Sequence, residues 1–98
     1  MPLFVMIGHD TPDGAPVRDR HRADHLAHVN ALDDQGRIAF AGPIRNDAGD
    51  ASVGAVIVFE ADDLAAARKV VDADPYVVGG VFESLKVAPF KRVLPAES

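Results

Sequence analysis

The chain has 98 residues, 48% of them hydrophobic, no cysteine and a formal net charge of −5. That length gives one domain with a small core, of the kind that commonly gains from an oligomeric interface. The lack of cysteine excludes a disulfide frame, a thiolate nucleophile and a Cys-based zinc site, and it fits a reducing cytoplasm. Lys and Arg are scattered, which excludes the basic face that a nucleic-acid partner needs.

Residues 3–7 (Leu-Phe-Val-Met-Ile) form an apolar run with β-branched and aromatic members and read as a buried strand. The run is too short to span a bilayer and has no basic flank, so neither a signal peptide nor a membrane helix is expected. Gly8 ends the strand, and residues 9–16 carry turn chemistry. A helix is predicted from about Arg18 to Gln35, with Gly36 as its C-terminal cap. Leu26, Val29 and Leu32 mark its apolar stripe. At about 100° per residue, His25 falls close to the stripe centre, with Arg22 one turn before it. His21 and His28 fall on the flank, and Asp24 points away. Arg37–Ala41 reads as a second strand stopped by Gly42-Pro43. Residues 45–52 read as a polar hairpin loop, and Gly54–Glu60 as a third strand.

Asp62 or Asp63 caps a second helix whose buried face is Leu64, Ala67 and Val71. Its end is the stretch Asp72-Ala73-Asp74-Pro75-Tyr76. The same periodicity places Asp74 nearer the buried face than Asp72. Residues 76–80 read as a connector. Val81–Val87 reads as a last strand, which residues 88–94 extend, and 95–98 as a frayed tail. The order β-α-β-β-α-β is the ferredoxin-like α+β pattern, an antiparallel sheet with both helices on one face. Its other face would be an open apolar surface, so a homodimer is expected.

Several short motifs in this order resemble those of the YciI-like (YCII-related) family. They are the first strand followed by Asp10, Arg18-x-x-x-Arg22-x-x-His25-Leu26, Gly36-Arg37, Ala41-Gly42-Pro43, Asp74-Pro75-Tyr76 followed by Gly80, and Pro89-Phe90. The resemblance implies a ferredoxin-like protomer that pairs into a dimeric α+β barrel. It also implies an active site with a His–Asp pair, which by motif falls on His25 and Asp74. At least one relative is a dehydrochlorinase acting on a chlorinated hydroxyhydroquinone. The chain departs from the pattern at His9 and in the loop at 45–52, which leaves specificity open.

A carboxylate on one imidazole nitrogen fixes the tautomer and raises basicity, leaving the other nitrogen to move a proton. His25 with Asp74 could supply this, or could be a buried histidine that ties the two helices together. Asp10 is a rival partner for His25, and Arg22 or Asp10 would complete the site as a substrate-binding residue. Arg22 could hold a substrate carboxylate or phenolate, or pair with Asp74 or Asp10. Arg18 is expected on the helix surface. The spacing of His21, His25 and His28 admits a metal only with a distant carboxylate, so no metal is expected. Gly42, Pro43, Gly79 and Gly80 could line a pocket, Tyr76 could form its edge, and Phe90 reads as core. No phosphate loop or Gly-x-Ser-x-Gly is present. The first expectation is a small cytoplasmic enzyme, an isomerase or lyase without cofactor, acting on a small anionic or phenolic molecule. The alternative is a non-catalytic dimeric ligand-binding module, with His25 and Asp74 as a structural lock.

Overall fold

The computed structural model describes residues 1–96. Its elements are β1 (Leu3–Asp10), α1 (Gly14–Asp34), β2 (Ile38–Arg45), β3 (Ser52–Glu60), α2 (Leu64–Asp72), α3 (Pro75–Val78) and β4 (Phe82–Phe90). The four strands form one antiparallel sheet in the order β2-β3-β1-β4. β3 lies between β1 and β2, and β1 lies between β3 and β4, so each βαβ unit is split by a strand of the other. This is the expected ferredoxin-like α+β fold.

Strand alternation decides what each sheet face carries. Phe4 and Met6 of β1 and Ala55, Ile57 and Phe59 of β3 turn toward the helices, where they form the core with Ala61 and with Ala67 and Val71 of α2. Leu32 of α1 is also buried. The intervening residues Leu3, Val5, Ile7, Val56 and Val58 turn to the opposite face, with Phe40, Ile44 and Phe90 beside them in register. Phe90 is therefore not core, and it is 39% exposed in the single chain. Asp63 is the residue that caps α2, accepting from Ala66 N at 2.8 Å. Gly36 takes the left-handed conformation after α1 (φ +71) that ends a helix.

Several boundaries differ from expectation. β1 continues through Gly8 to Asp10 because it is a central strand, with Gly8 paired to both Ala55 and Leu85. α1 begins at Gly14, four residues earlier than expected. Pro16 reads as turn chemistry, yet in a first helical turn its missing N–H removes no bond. β2 runs through Gly42-Pro43 because it is an edge strand, where proline is tolerated. The connector after α2 contains the short helix α3, discussed below. Residues 91–96 form neither helix nor strand. The tail reading for 95–98 lies in part, at 97 and 98, outside the described residues. No helix among the described residues is long and apolar enough to cross a membrane.

Candidate active site

The site is built outward from Asp74. Its backbone is extended (φ −65, ψ 126), as the residue before a proline prefers. That geometry makes Asp74 the N-cap of α3, with Pro75 in the first helical position. Asp74 Oδ1 accepts the backbone N–H of Tyr76 at 2.9 Å. The carboxylate is 2% exposed, whereas Asp72 is on the surface. Asp-Pro-Tyr is thus a capping device that holds a charged group inside the protein. A Pro directly after an Asp was a readable helix-start signal.

The same Oδ1 lies 2.8 Å from His25 Nδ1. A carboxylate only accepts, so Nδ1 carries the proton and a neutral ring presents Nε2 unprotonated. Tyr76 stacks on the imidazole with ring centroids 3.8 Å apart and planes 4° from parallel. Two bonds to one oxygen and one stacked ring fix His25 in position and tautomer. Nε2 has no hydrogen-bond partner among the described residues and is not sealed from solvent.

Asp10 is neither the partner of His25 nor among the residues that line the cleft described below. Both of its oxygens accept from Arg18, Oδ2 from Nε at 2.5 Å and Oδ1 from Nη2 at 3.0 Å. Nη2 also donates to Gly54 O at 2.8 Å, tying α1 to β3. Burial works against the Arg18 charge. The hydrogen bond to Asp10 and its charge, with a further contribution from Tyr76, outweigh burial and hold the guanidinium pKa above its usual value. Arg18 lies 5.0 Å from the centre of the Tyr76 ring and 5.9 Å from that of Phe82, which meets Tyr76 edge-on. Arg18 is therefore not on the helix surface as expected. A signal for this was available: residues 18 and 25 are seven apart, hence only about 20° apart around a helix. Phe82 had no such signal, because a bulge between His9 and Asp10 sets its register.

A cleft of about 280 Å³ opens between α1 and the β2–β3 hairpin. Ala55 and Ile57 line it from the sheet, Ala41, Gly42 and Pro43 from β2, Arg22, His25 and Leu26 from α1, and Tyr76 from α3. Leu26, read as part of a core stripe, is 42% exposed because it faces this cleft. Arg22 is exposed and makes no ion pair to Asp74 or Asp10. Gly79 and Gly80 are not lining residues. Gly79 lies against the His21 ring, where a Cβ would come within 2.5 Å of it. His28 Nε2 lies 3.0 Å from Val70 O, and His9 is exposed on the opposite sheet face. His21, His25 and His28 thus have separate neighbours.

The model of the YCII-related domain matches residues 2–91. The chain belongs to the YCII-related family. Protein YciI of Escherichia coli O6:H1 is 41% identical, with the match covering 93% of this chain and 98% of that protein. An uncharacterised protein of Haemophilus influenzae is 30% identical over 92% of this chain and 97% of its own length. Among solved structures, the chain is similar to 5-chloro-2-hydroxyhydroquinone dehydrochlorinase of Burkholderia phenoliruptrix in complex with 2,5-dihydroxybenzoquinone. That likeness has a TM-score of 0.83 at 26% identity and covers 91% of this chain and 93% of the other.

Proposed function

We propose that the cleft is the acid–base site of a small enzyme, with His25 Nε2 as the base and Asp74 as the group that orients it. The observation that carries this reading is a histidine whose Nδ1 is fixed on a buried carboxylate while Nε2, at a cleft, has no partner among the described residues. Proton abstraction followed by isomerisation or loss of a leaving group requires only such a base and a binding surface. Arg22, one turn from His25 and without an ion pair among the described residues, is placed to hold a carboxylate or phenolate. The apolar lining from Leu26, Ala55 and Ile57 suits a small planar ring. The likeness to a dehydrochlorinase of a chlorinated hydroxyhydroquinone supports a phenolic substrate and a lyase or isomerase reaction.

The test is chloride release from 5-chloro-2-hydroxyhydroquinone by the wild type and by His25→Asn. A base contributes roughly 10²–10⁴-fold, so the variant should fall by at least about 100-fold while remaining folded. Equal release by both proteins would remove His25 from the chemistry. Binding of 2,5-dihydroxybenzoquinone without any turnover would favour the ligand-binding module instead.

The working unit in this reading is a homodimer paired through the open sheet face. Phe40 is 56% exposed there, and Leu3, Val5, Ile7 and Val56 keep part of their surface uncovered in the single chain. Val56 sits between Ile7 and Gly42 in register, near the middle of that face. Light scattering should give twice the chain mass for the wild type and the monomer mass for Val56→Lys, because an unpaired ammonium does not tolerate an apolar interface. A wild-type monomer would refute the dimer.

A further inference from the structure

Tyr76 has more than a packing role. Its side chain is 4% exposed, yet it lines the cleft. A buried phenol usually finds an acceptor for its proton. No side chain or backbone oxygen among the described residues takes this one, and its oxygen is not sealed from solvent. Its charged neighbour is the Arg18 guanidinium, which is a donor only. Arg18 is itself held on Asp10 and on Gly54 O, so it does not turn away. The phenolic oxygen therefore faces a fixed positive charge, and its proton is left to donate. The Tyr76 and His25 rings are stacked with centroids 3.8 Å apart, and both residues line the same cleft. One small ligand can touch both.

We propose that Tyr76 is a second reacting group of the site: its hydroxyl donates a hydrogen bond to the substrate oxygen that gains charge as His25 removes a proton. This rests on the acid–base reading of the cleft and specifies the substrate class. The molecule carries an enolisable carbonyl, either a ketone or the keto tautomer of a phenol, whose carbonyl carbon is bonded to the carbon that loses hydrogen. In the step, the C–H bond breaks and its electron pair forms a C=C bond. The carbonyl π pair moves onto oxygen, and the proton goes to Nε2. No oxidant or reductant takes part. The Tyr76 hydroxyl and the Arg18 charge behind it meet the new oxyanion in a site that needs no reorganisation. Arg18 acts here as a positioning residue, through Tyr76.

The experiment uses 4-nitrophenolate as a probe, a planar ring whose charged oxygen imitates the enolate. Tyr76→Phe keeps the stacked ring and the edge contact with Phe82 and removes only the hydroxyl. The wild type should bind the probe with a displaced visible band. Tyr76→Phe should bind it about 10-fold or more weakly and lose that displacement, as expected for loss of a hydrogen bond to a charged group. Equal binding by Tyr76→Phe, with weaker binding by Arg22→Gln, would overturn the role of Tyr76 and leave the cleft reading standing. Absence of binding to the wild type at millimolar probe would overturn both. If Tyr76→Phe does not fold, the wild type still decides. The chain has one tyrosine, so its ring carbon bearing oxygen gives a single carbon-13 resonance. Movement of that resonance on saturation with the probe supports the proposal, and a fixed resonance overturns it.

Discussion

Replacing Arg18 with methionine should destabilise the fold by about 3 kcal/mol, because it leaves a buried charge without its partner. The Asp10 and Arg18 side chains are only 7% and 12% exposed. Arg18→Met removes both hydrogen bonds to Asp10 and the one to Gly54 O. The methionine fills much of the space against Tyr76 and Phe82, so the loss reflects unpaired polar groups more than a cavity. For a domain of this size the melting temperature should fall by roughly 15 °C. The informative comparison is Arg18→Met combined with Asp10→Leu. Removing both partners of a buried pair is far less harmful than removing one, so the double variant should recover half or more of the loss. If Arg18→Met melts within a degree or two of the wild type, the ion pair is not structural. If the double variant is as unstable as the sum of the single ones, the bonds to Asp10 are not what Arg18 supplies.

The fold was legible because strand and helix periodicities differ and this chain keeps them apart. The 3–7 and 54–60 runs read as strands, and the Leu64, Ala67, Val71 spacing as one helical face, and each occupies that place. His25 was also legible, since helical periodicity placed it inward without knowledge of its partner. Its partner was not legible from periodicity, and only the family motif pointed to Asp74. Asp10 and Asp74 both stand at element ends near α1, and the choice between them depends on where α1 begins. With the helix starting at Gly14 instead of Arg18, Arg18 lies inside the second turn and over the end of β1, where it occupies Asp10. A four-residue difference in where α1 begins thus hid the role of Arg18 and kept Asp10 as a rival to Asp74. Leu26 and Phe90 show the matching limit for apolar residues. Periodicity assigns a face, but it does not say whether that face meets a core, a cleft or an open sheet.

The capping geometry also separates the stability of the site from its chemistry, through two substitutions at Asp74. In Asp74→Ala the Tyr76 N–H loses its acceptor, α3 loses its N-cap and His25 Nδ1 loses its anchor. A lost cap costs about 1 kcal/mol and an unsatisfied buried donor about 1–3 kcal/mol. The variant should therefore be destabilised by about 2–3 kcal/mol, seen as a drop in melting temperature of roughly 10–20 °C. Asp74→Asn keeps an oxygen that can accept from both Nδ1–H and the Tyr76 N–H, and should cost about 1 kcal/mol. It removes the negative charge that stabilises an imidazolium once His25 has taken a proton. Nitrogen-15 shifts of the neutral His25 ring should report protonation at Nδ1 in the wild type and in Asp74→Asn. In Asp74→Ala the proton should move largely to Nε2, the tautomer a free imidazole favours. In the proposed acid–base reaction, turnover should be lost in both variants, but for different reasons: absent charge in one, wrong tautomer and loose ring in the other. A fully active Asp74→Asn would mean that the carboxylate charge plays no part in the reaction and that Asp74 serves only as the cap of α3. An Asp74→Ala variant as stable as the wild type would remove even that role.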